Sequence, residues 1–243
     1  MNRLTVLQAI ADNIKAKYYL EIGVETGMII SNLGIRFKHG VDPAFKIPNL
    51  SVDENINYSD IKNNIINLYP VESDFFFENF ASVNLYSGID IAFIDGLHTY
   101  KQSLLDIKNS LQYLRKGGVI VIHDCNPLSF AMGYPVKKSF DEVKEIAKTG
   151  DLIGWNECWN GDVWKSILHL RLEYNNLNIF TLDLDWGLGI ISKGDIDKEL
   201  DINISLNDIE DLDYFFLEKN RSEILNLKPP KYLYDFLKNR IIN

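Results

Sequence analysis

The sequence predicts an α/β fold built on a parallel sheet with helices on both faces. Two short runs, IDIAFI at residues 89–94 and VIVI at 119–122, are largely apolar, barely alternate and stop abruptly at polar residues. Such runs suit strands buried on both faces of a parallel sheet. Between them Leu104, Leu105, Ile107, Leu111 and Leu114 recur near a helical period over residues 100–115, and Lys116-Gly117-Gly118 is expected to stop that helix. Strand, helix and strand then make one right-handed crossover, with neighbouring strands roughly 5 Å apart. Each run ends in acids and histidines: Asp95 and His98 after the first, His123 and Asp124 after the second. Ligands of parallel sheets bind beyond the carboxyl ends of the strands, where these four residues fall.

The remaining elements follow in order. Residues 4–15 read as a helix and 18–22 as a strand that runs into Glu21-Ile22-Gly23-Val24-Glu25-Thr26-Gly27. Glycines here allow a sharp turn and close approach to a ligand, and a helix from about Met28 offers free N–H groups at its start. The spacing Gly23-x-x-x-Gly27 is not the Gly-x-Gly-x-x-Gly of a pyrophosphate cradle. A second strand ends at Gly40-Val41-Asp42-Pro43, which puts a carboxylate some twenty residues past the first turn, where it can accept hydrogen bonds from ribose hydroxyls. A third, residues 64–69, precedes Glu72-Ser73-Asp74-Phe75-Phe76, an acid and an aromatic ring on offer to an adenine. An amphipathic stretch over 136–146 and an Asn-, Gly- and Trp-rich segment over 154–161 suggest a lid or acceptor wall, and Asp162-Val163-Trp164-Lys165 opens another helix. From Leu206 onward, acids and aromatics on a helical pattern, broken by Pro229-Pro230, read as two appended helices.

Bulk properties narrow the class. The 243 residues fit one domain with a sizeable core, and a formal charge of −9 without a basic stripe argues against a nucleic-acid partner. Cys125 and Cys158 are the two cysteines, so a disulfide framework is not expected. The start MNRLTVLQAIADNIK has no signal-peptide pattern, and no apolar run reaches the roughly 18 residues that span a bilayer. A soluble, cytoplasmic protein acting on a small molecule is the expectation.

Taken together, YLEIGVETG, GVDP, SDFFF, FIDGLHTY and GGVIVIHDCNP resemble the class I S-adenosylmethionine-dependent methyltransferases. Within that class they resemble the subgroup that includes metal-dependent sugar O-methyltransferases. The resemblance covers about residues 1–195. It implies a doubly wound, Rossmann-like sheet of seven strands with the last antiparallel, and residues 180–192 fit that final hairpin with Gly187 and Gly189 near its turn. The implied layout is a methyltransferase domain over 1–195, with a lid or acceptor insertion at about 130–162, and a helical extension over 196–243. The resemblance also implies S-adenosylmethionine as cofactor, bound by Glu21, Gly23, Gly27, Asp42, Ser73, Asp74 and Asp95.

The chemistry expected is methyl transfer to a hydroxyl of a sugar, nucleotide-linked or part of a surface glycan such as capsule. Asp95 and Asp124, with His123, are the expected metal ligands, and His98, Asp95 and Asp124 the catalytic set. A divalent cation can chelate adjacent hydroxyls and lower the pKa of one, while His98 takes the proton. The resembling sugar enzymes carry a second acid where this chain has His123. An imidazole in that place moves preference from Mg²⁺ toward Mn²⁺. Homo-oligomerisation is a further expectation. Other readings stay open: another small polar acceptor, a metal-dependent hydrolase or oxygenase on a similar sheet, or a binding module. So do structural roles for single residues: Asp42 as a turn acid, Asp74 as a helix-start acid, His98 and His123 as satisfied histidines, and Trp155, Trp159 and Trp164 as packing.

Overall fold

The computed structural model describes residues 1–48, 57–61, 64–136 and 140–240. In chain order it contains α1 (Arg3–Ile14), β1 (Tyr18–Ile22), α2 (Met28–Asn32), β2 (Phe37–Val41), β3 (Asn57–Ile61), β4 (Asn64–Tyr69), α3 (Ser73–Asn79), α4 (Ala81–Asn84), β5 (Ile89–Ile94), α5 (Tyr100–Tyr113) and β6 (Leu114–Ile122). There follow α6 (Phe140–Lys148), α7 (Trp164–Glu173), β7 (Leu177–Leu182), β8 (Leu188–Lys193), a 3-10 helix (Leu206–Asp211), α8 (Tyr214–Ile224), β9 (Leu227–Lys228) and α9 (Tyr232–Arg240). The fold is α/β with a mostly parallel sheet, as the apolar runs predict. Among the described residues, no helix is long and apolar enough to cross a membrane.

The chain forms two compact units. The first comprises Met1–Gly96, Asp106–Val121 and Leu233–Asn243. Its strands run in the order β3-β4-β2-β1-β5-β6. β1 lies parallel to β2 and β5, β2 lies parallel to β4, and β3 pairs antiparallel with β4. Tyr19, Leu20, Ile91, Ala92 and Phe93 are buried, which a strand covered on both faces requires. The Asp90 carboxylate accepts from Lys17 N at 2.8 Å and Tyr18 N at 3.0 Å, and Arg115 lies 3.2 Å from its other oxygen. This anchors the entry of β1 to β5. α1 begins where the Asn2 side chain accepts from Thr5 N at 3.0 Å, and it buries Val6, Leu7 and Ile10 at helical spacing.

The second unit comprises Leu97–Leu105 and Ile122–Tyr232. β7 and β8 form an antiparallel hairpin, and the two-residue β9 lies parallel to β7. The segment read as a lid has a small core of its own, in which Ala131, Val136, Val143, Leu152 and Trp159 pack with Phe140 and Trp155. Residues 137–139 of that segment lie outside the described residues.

Two sequence expectations are corrected. Among the described residues there are nine strands rather than seven, because β3 and β9 are added. α5 ends at Tyr113, so Lys116, Gly117 and Gly118 lie inside β6 instead of capping a helix. Gly118 is needed because a Cβ there would meet the Asp90 and Arg115 carbonyl oxygens at 3.0 Å. Glycine marks close backbone approach as well as helix ends, and residue type alone does not separate the two.

Gly23 and Gly117 allow a direct test of close approach. Gly23 has φ +85 and a Cβ would lie 2.1 Å from the Asp95 carbonyl oxygen, whereas at Gly117, φ +79, nothing lies within 4 Å. Gly117→Ala should cost about 1 to 2 kcal/mol of left-handed strain. Gly23→Ala should cost about 3 kcal/mol or more, since the loop after β5 must also move. Denaturant midpoints of the two variants check this.

Candidate active site

In the first unit the sequence-predicted cofactor residues gather on the loops that follow β1 and β2, with Ser73 and Asp74 opening α3 after β4. Glu21 is 1% exposed near the end of β1, and Tyr19 Oη donates to its Oε2 at 2.7 Å. Burial pushes the Glu21 carboxyl up to about 8, and the nearby Asp95 adds to the rise. Lys38 on β2 is fully buried, donates from Nζ to the Ile30 carbonyl at 2.6 Å and is pushed down to about 8 by burial. An uncompensated carboxyl of this kind is held neutral near pH 7, and a cationic ligand beside it would favour the ionised form.

Asp42 accepts from Glu25 N at 2.8 Å and from Ala44 N at 2.7 Å, one bond on each carboxylate oxygen. It therefore fastens the β1–α2 turn to the end of β2, and each oxygen keeps a second lone pair. Gly27, at φ +74, is the residue that caps α2. Gly23 is a point of close backbone approach. Its Cα face is closed by the backbone of Asp95. Asp95 itself receives Arg3 Nη1 at 2.8 Å, a partner from the first turn of α1 that carries no local sequence signal.

In the second unit Asp124 is the centre of a polar cluster. Its backbone is left-handed at φ +62 and its side chain is 5% exposed. Asn160 Nδ2 donates to Oδ1 at 2.5 Å, while His123 Nδ1 and His98 Nε2 face Oδ2 at 2.8 and 3.2 Å. His123 is also flanked by Asp185, its Nε2 lying 3.7 Å from Oδ1. Among the sequence-predicted residues, His98, His123 and Asp124 thus come together here. Asn160 and Asp185 were not foreseen.

The geometry of His98 is informative. Its Nδ1 lies 3.0 Å from the Trp159 carbonyl oxygen, which can only accept, so Nδ1 carries a proton there. With Nδ1 engaged on that carbonyl, Nε2 is the nitrogen that faces Asp124. Trp159 also stacks on the imidazole with ring centroids 5.4 Å apart. Gly161 makes this close fit feasible, since a Cβ there would lie 1.8 Å from the His98 carbonyl oxygen. The segment read as a lid is therefore fixed to the His98 and Asp124 loops, and Asn160 N and Gly161 N both donate to Met132 O, at 2.8 and 3.0 Å.

The β7–β8 hairpin is tied to the same cluster. Cys125 N donates to Gly187 O at 3.1 Å and Asn126 N to Trp186 O at 2.8 Å. Asn126 Nδ2 donates to Asp183 Oδ1 at 3.1 Å, and Arg221 Nη1 donates to Pro127 O at 2.7 Å. The loop carrying Asp124 is thus held from both the hairpin and α8.

Residues 20–125, from β1 through the Asp124 loop, match the family model described as Methyltransferase domain. The match covers a little under half of the chain. An Acanthamoeba polyphaga mimivirus protein, uncharacterized protein R132, is 32% identical over 114 residues, 44% of this chain and 50% of that protein. The chain spans about half the length of that curated relative. A Staphylococcus aureus structure, described provisionally as a caffeoyl-CoA O-methyltransferase, is similar with TM-score 0.50 and 15% identity, over 80% of this chain and 85% of that one. The O-methyltransferase TomG of Streptomyces achromogenes, involved in tomaymycin synthesis and solved with SAM, gives 0.49 and 12% over 79% of each chain. At such identities the Staphylococcus likeness is one of fold, the class I methyltransferase fold that the sequence motifs resemble.

Two outcomes follow for these residues. The unfolded chain ionises Glu21 near 4.5 and the folded one near 8, so the folded state binds more protons across that window and this carboxyl makes stability fall as pH rises through it. Glu21→Gln should remove a slope of up to about 1.4 kcal/mol per pH unit, read from denaturation between pH 5 and 8. Asp124→Asn keeps both shape and tolerance of the left-handed backbone. Asp124→Ala leaves buried polar partners without their acceptor and should be less stable than Asp124→Asn by about 2 to 4 kcal/mol in the same assay.

Proposed function

We propose that this protein transfers the methyl group of S-adenosylmethionine to a hydroxyl oxygen of a small acceptor, a sugar in our reading. The observation that carries the proposal is the His98–Asp124 pair with Nδ1 held on the Trp159 carbonyl, in a chain whose residues 20–125 match a methyltransferase family model. S-adenosylmethionine, when bound, supplies an electrophilic methyl whose sulfur leaves as a neutral thioether. Glu21 fits such a cationic ligand, being a buried carboxyl in want of a positive charge. Asp42 would accept from ribose hydroxyls on its remaining lone pairs, and the turn at Gly27, with Ser73, Asp74 and Asp95, would complete the set.

In the transfer, the acceptor oxygen bonds to the methyl carbon as the carbon–sulfur bond breaks, and the hydroxyl proton passes to His98 Nε2. The imidazolium so formed donates from Nδ1 to Trp159 O and is stabilised by Asp124 at Nε2, so both proton positions face acceptors already in place. An alcohol loses its proton reluctantly, and a prearranged acceptor lowers that barrier.

A divalent cation is the alternative to His98 as base, because both would use the lone pair on Nε2. His98 Nε2 and Asp124 Oδ2 are 3.2 Å apart. Adjacent ligands about 2.1 Å from one octahedral ion lie roughly 3.0 Å apart, so this pair fits a cation. The sequence reading adds Asp95 and His123 to the donors, and a mixed imidazole and carboxylate set favours Mn²⁺ over Mg²⁺. When bound, the cation would lower the pKa of the acceptor hydroxyl. Of His123, both ring nitrogens face carboxylates, a placement that also suits support of Asp124 from behind.

Calorimetric titration with S-adenosylmethionine tests the cofactor assignment. Saturable binding is expected, with release of close to one proton at pH 7 as Glu21 ionises, read from the dependence of heat on buffer ionisation enthalpy. Asp42→Ala should weaken binding about tenfold or more, the worth of a charge-assisted hydrogen bond. No binding, or no proton release, would overturn the reading of this loop set. For the chemistry, His98→Ala should lower kcat with cofactor affinity retained. Turnover that survives exhaustive chelation would remove the cation and leave His98 as the base.

A further inference from the structure

Trp186 is the one aromatic of the hairpin turn, and its surroundings are unusual. It is 40% exposed, in contrast to Trp159 at 8% and Trp164 at 1%. Its backbone is left-handed, φ +58, and so is that of its neighbour Asp185, φ +49. A bulky residue in this conformation is a genuine outlier, because its Cβ crowds the following carbonyl. Glycine or asparagine would form the same turn with less strain. Nor does the turn need the indole for its own cohesion, since it is held by backbone bonds: Asn126 N to Trp186 O, Cys125 N to Gly187 O and Gly187 N to Leu184 O. The indole instead stands edge-on to His123, with centroids 6.0 Å apart and planes at 86°, beside the cluster that holds Asp124 and His98.

We infer that Trp186 is an acceptor-binding residue, a platform for the ring of an uncharged or cationic polyhydroxyl acceptor whose hydroxyl is the one methylated. This rests on the methyl-transfer reading above and deepens it. The face of an indole is electronegative and attracts the weakly positive C–H groups of a pyranose ring, or a cation, more than an anion. Asp185, next to Trp186, and Asp124 surround His123 with carboxylates. An anionic acceptor would meet like charge there. Strained residues persist where the surrounding structure over-determines them, and they gather at functional sites. Asp185-Trp186-Gly187 stands in the final hairpin, and hairpin geometry alone does not show which way the indole is presented.

The test uses three pyranose probes of one ring type: methyl glucoside, neutral; glucosamine, cationic; and glucuronate, anionic. Binding of S-adenosylmethionine is first established by calorimetry, so that its failure is charged to the function proposed above and not to Trp186. Release of S-adenosylhomocysteine is then followed against probe concentration. The expected result is turnover of the neutral or cationic probe with kcat/KM at least tenfold above that of glucuronate. Trp186→Gly should raise KM for the preferred probe at least tenfold while leaving cofactor affinity unchanged and thermal stability equal or higher. Trp186→Phe should keep most of the wild-type KM. Equal use of glucuronate, turnover of none of the probes by cofactor-binding enzyme, an unchanged KM in Trp186→Gly, or a marked fall of its melting temperature would overturn the assignment.

Discussion

The buried Asp124 carboxylate is the constraint on which the second unit's polar architecture depends. A carboxylate taken out of water is tolerated only when polar partners replace its hydration, and Asp124 has Asn160 as a donor to one oxygen with His98 and His123 facing the other. Each partner must then be fixed in turn. The Trp159 carbonyl and ring hold His98, Asp185 flanks His123, and Asn160 is anchored through its own N–H on Met132. The left-handed backbone at Asp124 belongs to the same arrangement. A side chain emerging from a left-handed residue leaves the strand direction sharply, which carries the carboxylate off the line of β6 and into the cluster.

The first unit solves a related problem in the opposite way. Glu21 is buried with one neutral hydrogen-bond donor, the Tyr19 hydroxyl, and burial outweighs what Lys38 supplies. The fold thus tolerates Glu21 by leaving it neutral, whereas Asp124 is tolerated by being surrounded. In the proposed reaction these are complementary states: one carboxyl waits for a cationic ligand to ionise it, and the other waits for a proton to arrive on its imidazole partner.

This explains what could be read from the chain and what could not. β1, β2, β4, β5 and the β7–β8 hairpin lie close to where the apolar runs put them, because strands buried on both faces leave an uninterrupted apolar signature. β9 has two residues and no periodicity to detect. Gly117 and Gly118 were misread as a helix stop because a backbone crossing and a helix cap demand the same residue. Asp95, His98, His123 and Asp124 were legible as site candidates since they follow strands directly. Arg3, Asn160, Asp185 and Trp186 were not, because each reaches its place through tertiary contacts with chain far from it in sequence, and nothing in its own neighbourhood marks the destination.

The C-terminal helix α9 belongs to the unit that begins with α1: Asn13 Nδ2 donates to the Leu237 carbonyl at 3.3 Å across 224 residues, and Arg240 reaches the carbonyl of Gly117. Protein synthesis delivers these partners in sequence, so the apolar face of α1 and the β1–β5 strands leaves the ribosome long before the helix that joins them. Until then the first unit lacks one of its pieces, and a closure of such long range is slow to form. The unit proposed to bind the methyl donor is therefore closed only when the last helix is available to pair with the first.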